Sequence, residues 1–193
     1  ACCVSKDGQA IGFVGESGWG KSTLAEFFCA NGYVLLNDDI LAIQLGEKAQ
    51  AMAVPGYPLI KLRPDSGARL RGDFEALPTL YPGTSKRMRN VESFPTHPVP
   101  LARLFLLEKE YRDRSYVEYL EPRAALVRLL AHTRVTHLFK HAPETSLHLQ
   151  QCATLIRQVP ILALHRVRSV DRLSELFALV EAELERERKA EAA

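Results

Sequence analysis

The sequence contains no long apolar run and no excess of charge of one sign. No segment approaches the roughly 20 apolar residues of a membrane-spanning helix, and no secretory signal peptide is visible. Its 25 lysines and arginines nearly balance 23 aspartates and glutamates, which gives a formal net charge of +2. A nucleic-acid-binding domain is normally far more basic. These absences argue against a membrane span and against a nucleic-acid partner.

Cysteine is scarce and lacks the spacing of a metal or redox motif. The four cysteines are Cys2, Cys3, Cys29 and Cys152, and they include no C-x-x-C pair. A chain of 193 residues with 47% hydrophobic residues can bury a core without disulfides. We therefore predict one domain over residues 1–193, reduced thiols and a cytoplasmic location; a homo-oligomer is compatible with this composition. An initiator methionine is also missing, so we expect a truncated N-terminus.

One strong motif stands out, a glycine-rich segment at residues 15–22 that we call the glycine loop. It fits the phosphate-binding pattern G-x-x-x-x-G-K-[ST] at every defined position. An apolar, β-prone run precedes it, and a helix-forming segment with an apolar stripe follows it, which is the context the motif requires. The residues predicted to bind the phosphates of a nucleotide are Gly15, Glu16, Ser17, Gly18, Trp19, Gly20, Lys21, Ser22 and Thr23.

The residue types of the glycine loop explain how it would bind a triphosphate. Glycines let backbone N–H groups approach an anion closely, and the following helix adds N–H donors and the positive end of its dipole. Lys21 supplies a positive charge for the β- and γ-phosphates, and the Ser22 hydroxyl is a ligand for the accompanying Mg²⁺. A nucleoside triphosphate with Mg²⁺ is therefore the predicted ligand.

A pair of acidic residues follows the next predicted strand. The helix after the loop ends near Asn31-Gly32, and residues 33–36 form an unbroken apolar run typical of a buried strand. The strands before and after this helix should be parallel and close together, which places Asp38 and Asp39 at the same sheet edge as the loop. One carboxylate can hold Mg²⁺ and the other can accept a proton from an attacking hydroxyl. The alternative is a solvated turn.

These residues together resemble the C-terminal catalytic domain of the HPr serine kinase/phosphorylase family, relatives of phosphoenolpyruvate carboxykinase. The register needs no gap between Ser22 and Asp39. The resemblance implies an α/β fold with a P-loop kinase core of this type, in which a mixed sheet has flanking helices. It implies that Asp39 accepts the proton of the target serine. The predicted catalytic residues are Asp39, Asp38 and Lys21, and the predicted metal ligands are Ser22 and Asp38.

The resemblance is specific over residues 1–62 and diffuse afterwards. The family has a catalytic histidine before the loop, whose position would precede Ala1. Its second signature, rich in Arg, Gly and Ile with a metal-binding Glu, has no equivalent here. Residues 54–62 instead resemble the shorter HPr-kinase-like proteins, including those found with lasso-peptide biosynthesis.

The predicted function is an ATP- and Mg²⁺-dependent kinase that transfers the γ-phosphate to a serine of a protein or peptide. Two alternatives stay open at this point. One is a regulatory ATPase or nucleotide-binding switch that transfers nothing, and the other is a kinase that acts on a small molecule.

Between the acidic pair and the second half of the chain, the patterns are weaker. Residues 40–45, 51–54 and 59–62 are predicted to form a three-stranded meander. Residues 63–100 contain six prolines among few apolar positions, which is typical of a lid, a binding loop or a disordered segment. The basic run at residues 86–89 either reaches a γ-phosphate or an acidic peptide, or is a solvated loop. Trp19 either stacks on a base or a partner, or only covers the loop.

The second half of the chain alternates between strand and helix patterns. Strands are predicted at residues 101–107, 116–120 and 161–164. A helix is predicted to begin near Pro122. The side chains predicted to face inward are those of Ala125, Leu126, Leu129 and Leu130. Another helix passes through Leu147, Cys152, Leu155 and Ile156. The last is predicted to bury Leu173, Leu176, Phe177, Val180 and Leu184.

Overall fold

The computed structural model describes residues 1–46, 50–111, 113–133 and 143–191, which form a mixed α/β structure. The strands are β1 (Cys2–Lys6), β2 (Gln9–Val14), β3 (Val34–Asn37), β4 (Ala42–Gln44), β5 (Met52–Val54), β6 (Leu59–Leu62), β7 (Arg87–Asn90), β8 (Val99–Glu110), β9 (Tyr116–Tyr119) and β10 (Ile161–Val167). The helices are α1 (Lys21–Ala30), α2 (Pro64–Leu70), α3 (Pro122–Ala131), α4 (Pro143–Gln158) and α5 (Leu173–Glu191), with short 3₁₀ helices at Phe74–Ala76 and Val170–Arg172. Every strand and helix predicted after residue 100 is found.

Within the described ranges, the main sheet is mixed and has eight strands. Its path is β3-β1-β2-β8-β10-β9, and β5 joins the start of β8 while pairing with β4. The three central strands β2, β8 and β10 are parallel neighbours, whereas β1 is antiparallel to both β2 and β3. The expected mixed sheet with flanking helices is confirmed.

The strands on either side of α1 are parallel, as predicted, but they are not neighbours. Both β2 and β3 run antiparallel to β1, which lies between them. One strand separates them because β1 and β2 form a hairpin through the turn at Asp7-Gly8. Because β1 is hydrogen-bonded to one edge of β2, the chain that leaves β2 and passes through α1 adds β3 next to β1 and not next to β2.

Helices cover both faces of the main sheet. One apolar core lies between the sheet and the helices α1 and α5, and the other lies under α3 and α4. The predicted inward positions of α5 are buried except Phe177, which is half-buried. In α3, Ala125 and Leu129 are buried, whereas Leu126 and Leu130 are half-buried. Leu147 of α4 is 56% exposed, so this predicted helix position lies outside the core.

The predicted three-stranded meander is wrong for its third strand, residues 59–62. Strand β5 pairs with β4 and β8, but β6 pairs with β7 in a separate two-stranded sheet. Pro55 and Pro58 stand between β5 and β6, and proline cannot donate a ladder hydrogen bond. The N–H of Gly56 instead donates to the carbonyl of Leu36 at 2.8 Å, which turns the chain across the end of β3.

The proline-rich segment 63–100 has regular structure of its own. It contains α2, a 3₁₀ helix and β7, which pairs with β6 in antiparallel register. Glu26 of α1 fastens this segment to the core, because its carboxylate is 3% exposed and accepts from Arg71 at 3.0 Å and from Arg89 at 2.6 Å. The segment is therefore held against α1 by a buried charge cluster.

Two further sequence predictions can be compared with the described residues. All four cysteines are free thiols, and only Cys29 is not fully buried. Within the described part of the chain, none of the helices combines the length and hydropathy needed to cross a bilayer.

Candidate functional site

Several elements meet in a cleft at the carboxyl edge of the main sheet. The glycine loop follows β2, the pair Asp38 and Asp39 follows β3, and Arg166 lies near the end of β10. These strands run in one direction, so their carboxyl ends share an edge, where α/β proteins commonly bind ligands. Strand β6 and the start of α2 close the opposite side of the cleft, which has a volume of about 330 Å³.

The glycine loop supplies one wall of this cleft. The predicted phosphate-binding residues in its lining are Ser17, Gly18, Gly20, Lys21, Ser22 and Thr23. Gly18 and Gly20 have φ angles of 82° and 74°, a conformation that side chains with a Cβ rarely adopt. Gly15, Glu16 and Trp19 lie beside the cleft and do not line it.

The side chain of Lys21 bends back over its own loop. Its Nζ donates to the carbonyl of Gly15 at 2.9 Å and to that of Glu16 at 2.7 Å. Gly20 caps α1, whose first N–H groups have no partners within the helix and lie beside the cleft. The ammonium group and these N–H groups are thus close enough together to bind the same anion.

Asp38 is buried at the base of the cleft, which argues against the solvated-turn alternative for this residue. Its side chain is 6% exposed, and its Oδ2 accepts from the backbone N–H of Lys61 at 2.8 Å. Among the described residues, its Oδ1 has no hydrogen-bond partner. Burial raises the pKa of Asp38 to about 6, although the Lys61 N–H and the Ser22 hydroxyl act in the opposite direction. A buried carboxylate oxygen without a donor is suited to a cation.

Asp39 occupies a different environment from its neighbour. Its side chain is 56% exposed, and it forms an ion pair with the Nζ of Lys61. Lys61 thus contacts both acids, one through its backbone and one through its side chain. Both acids line the same cleft as Lys21 and Ser22, so the predicted catalytic and metal-binding residues are brought together.

Trp19 packs beside the glycine loop. A Cβ added at Gly15 would lie 3.2 Å from the indole ring, so this glycine allows the tryptophan to contact the loop backbone. The Nζ of Lys109 lies 5.1 Å from the indole centroid, and the His132 ring meets it edge-on at 6.5 Å. Trp19 also contacts the core under α1. These contacts favour the interpretation that Trp19 covers the loop.

Sequence reasoning missed the arginine that contacts the glycine loop from β10. Arg166 is 8% exposed and donates to the carbonyl of Trp19. A Cβ at Gly20 would lie 3.1 Å from its guanidinium group, which shows how closely the two approach. Burial, with help from Arg168, lowers the pKa of Arg166 to about 10, yet the group stays charged at neutral pH. The sequence did carry a signal for this residue: Arg166 and Arg168 stand two positions apart at the carboxyl end of a buried strand.

The basic run at residues 86–89 is divided by the alternation of a strand. Lys86 lines the cleft, whereas Arg87 donates to Glu75 at 2.8 Å and Arg89 contacts Glu26. The basic run is therefore not a solvated loop, and of its four residues only Lys86 lines the cleft. Across the cleft as a whole, seven basic and three acidic side chains line the surface.

The arrangement can hold a polyanion together with a hard cation. The loop, Lys21 and Arg166 present donors and positive charge, while Ser22 and Asp38 present oxygen ligands. No group of three His, Cys, Asp or Glu side chains in the described ranges could hold a metal ion unaided.

No protein-family model matches the chain, and no curated protein sequence matches it.

Proposed function

We propose that this protein is an ATP- and Mg²⁺-dependent kinase that transfers the γ-phosphate to a serine of a protein or peptide in the cytoplasm. In this proposal the glycine loop and the surrounding strands form a P-loop kinase core of the HPr kinase type. The observation that carries it is the meeting of Lys21, Ser22, Asp38 and Asp39 in one cleft. These are the side chains that phosphoryl transfer requires: a phosphate-binding cation, metal ligands and a proton acceptor.

The triphosphate would bind to the glycine loop. The backbone N–H groups around Gly18 and Gly20 and the first turn of α1 would surround the phosphates. Lys21 would exchange its two carbonyl contacts for charge-assisted hydrogen bonds to phosphate oxygens, which are stronger. Arg166 would add a second fixed positive charge beside Gly20. Burial and the hydrogen bond to the Trp19 carbonyl restrict the motion of the Arg166 side chain. Nucleotide binding would therefore cost little further side-chain entropy at this residue.

The residues present fit a magnesium ion carried by the nucleotide. Mg²⁺ in nucleotide sites typically takes one or two protein oxygens and completes its shell with phosphates and water. The Ser22 hydroxyl and the Oδ1 of Asp38 would be those protein ligands, and Oδ1 has no other partner among the described residues. When bound, the ion would neutralise charge that develops on the phosphates.

Asp39 would accept the proton of the acceptor hydroxyl. Its carboxylate is exposed and therefore accessible to a serine, whereas that of Asp38 is buried. The ion pair with Lys61 would hold the carboxylate in one orientation. Since phosphoryl transfer is largely dissociative, this positioning of the nucleophile would matter as much as the basicity of Asp39.

The test is the fate of the label from γ-³²P-ATP after incubation with Mg²⁺ and serine-containing peptides. The proposal predicts phosphoserine on a polypeptide. Label on a metabolite in a cell extract would indicate a small-molecule kinase, and label found only as free phosphate would indicate a regulatory ATPase. Either of these results would contradict the proposal.

A further inference from the structure

We propose that the acceptor is an acidic peptide, whose carboxylates bind to Arg63 and Lys86 while its serine reaches Asp39. The inference rests on the proposed kinase function and names the substrate class of the same site. It concerns the wall of the cleft formed by Lys61, Arg63 and Lys86, which we call the outer wall. The inner wall consists of Lys21, Ser22, Asp38 and Arg166.

The register of the small sheet places Arg63 and Lys86 side by side. Leu62 pairs with Arg87 at the end of the antiparallel ladder, and Arg63 and Lys86 are the residues directly beyond that pair. Side chains alternate between the faces of a strand, which puts Arg63 on the same face as Lys61. Both Arg63 and Lys86 line the cleft.

The side chains of Arg63 and Lys86 form no ion pair with an acidic residue in the described ranges. The other face of the same sheet is different, because Arg87 and Arg89 are paired with Glu75 and Glu26. Like charges at adjacent positions repel each other. A bound anion would remove this repulsion.

The position of the pair favours the acceptor over the nucleotide as the source of that anion. Lys21 and Arg166 already serve the glycine loop, and Mg²⁺ would neutralise much of the triphosphate charge. Lys61 contacts Asp39, the proposed proton acceptor, and Arg63 lies about 7 Å farther along the strand. That distance corresponds to the spacing of residues two apart in an extended peptide, whose side chains lie on the same face. An acidic residue near the acceptor serine would therefore reach the pair.

The first experiment compares three pools of serine-centred peptides of equal length. One pool has Asp and Glu around the serine, the second has Asn and Gln at the same positions, and the third has Lys and Arg. We expect kcat/KM for phosphate transfer to be about tenfold higher for the acidic than for the amide pool, the effect of two solvent-accessible charge contacts. The basic pool should be the poorest substrate. Equal transfer to all three pools would overturn the inference and leave the kinase function intact.

The second experiment measures docking without catalysis. A fluorescein-labelled acidic peptide with Ala in place of Ser is titrated with the protein in the presence of Mg²⁺ and ADP. The double variant Arg63→Gln/Lys86→Gln should bind it about tenfold more weakly, while its affinity for ADP changes by less than about threefold. Arg123→Gln, which removes an exposed charge on α3, is the control and should bind like the parent.

The two measurements separate the possible failures. Unchanged binding of the acidic peptide by the double variant would overturn the inference. A loss of ADP affinity in the same variant would also overturn it, because it would assign the pair to the nucleotide. Acidic-peptide binding that depends on the pair, without phosphate transfer to any pool, would support the anion site and contradict the proposed kinase function.

Discussion

The inner and outer walls of the cleft differ in how their charges are held. Asp38 and Arg166 of the inner wall are 6% and 8% exposed, and burial shifts the pKa values of both. On the outer wall, Arg63 is exposed and the Lys61 side chain is 31% exposed. Buried charges are costly without a ligand but are fixed in place, whereas exposed charges cost little and adapt. The difference indicates a rigid inner site for a constant ligand and an adaptable outer site for a variable one.

The greatest loss of function should come from the inner wall, with Lys21→Ala. Loss of a charge-assisted contact to phosphate should weaken ATP binding about 10- to 100-fold, and loss of charge stabilisation should lower kcat about 10²- to 10³-fold. Calorimetry with ATP and Mg²⁺, followed by transfer assays, measures both. Lys109→Ala removes a lysine that contacts Trp19 outside the cleft and is the matched control. Parent-like affinity and turnover in Lys21→Ala would contradict the assignment of the glycine loop to phosphates.

The two adjacent acids should separate binding from transfer. Asp39→Asn keeps the shape of the side chain but cannot take a proton, so single-turnover transfer should fall about 10²- to 10⁴-fold. ATP affinity should hardly change, since Asp39 is exposed and pairs with Lys61. Asp38→Asn should instead alter the Mg²⁺ dependence. If Asp39→Asn transfers within about threefold of the parent at saturating ATP, a value well inside that range, the proton leaves by another route.

The attachment of segment 63–100 to α1 should depend on Glu26. Glu26 is 3% exposed and pairs with Arg71 and Arg89; after Glu26→Gln, Arg71 keeps Asp73, whereas Arg89 loses its acidic partner among the described residues. Breaking such a buried pair typically lowers the free energy of unfolding by about 3–5 kcal/mol, which urea denaturation would measure. Proteolysis within residues 63–100 should also become faster.

The matched control for this prediction is Glu75→Gln. Its carboxylate pairs with Arg87 on the same small sheet but is 79% exposed. Exposed ion pairs contribute about 0–1 kcal/mol, so its stability should stay close to that of the parent. Equal stability losses in the two variants would mean that the burial of Glu26 does not matter.

The smallest expected effect concerns the pH dependence of stability without ligand. The raised pKa of Asp38, about 6, means that the fold favours the protonated carboxyl. The stability contributed by this proton is fully present below the ordinary pKa near 4 and is lost as pH rises through 6. Asp38→Asn should therefore be more stable than the parent above pH 6 by up to about 3 kcal/mol, and the gain should vanish near pH 4. Urea denaturation at several pH values measures this difference.

The same carboxyl should make Mg²⁺ binding depend on pH. A metal must displace the proton from Asp38, so Mg²⁺ affinity in the presence of ADP should fall about tenfold per pH unit below 6. Asp38→Asn should show weaker Mg²⁺ binding and a flat profile. If the Mg²⁺ affinity of the parent protein is equally independent of pH, Asp38 is not a ligand of the metal.

The sequence predicted the inner wall better than the outer wall, for a physical reason. The glycine loop and the acids after β3 are encoded by short patterns, each of which fixes its own local structure. Arg166 comes from a strand far along the chain, and only the sheet order brings it to Gly20. The insertion of β1 between β2 and β3 is likewise a matter of strand order, which the local rules for a hairpin and a crossover do not determine.

The outer wall was predicted only in part, because β7 was not recognised as a strand and β6 was assigned to the wrong sheet. The prolines around residues 86–89 favoured a loop, and without a strand the four residues carry no alternation. Once β7 is known, the period of two assigns Lys86 to the cleft and sends Arg87 and Arg89 to the other face. The partner of β7 is β6, which the sequence had assigned to a meander with β5.

The most direct test of the central claim is a comparison of ATP and AMP binding by calorimetry, with and without Mg²⁺. The two nucleotides share the base and ribose, but only ATP carries the β- and γ-phosphates that the inner wall would bind. We expect one ATP per chain, an affinity for ATP at least about tenfold above that for AMP, as the loss of charge-assisted contacts implies, and a requirement for Mg²⁺. Equal affinities for ATP and AMP, or no binding of either, would contradict the claim that this cleft holds a magnesium triphosphate.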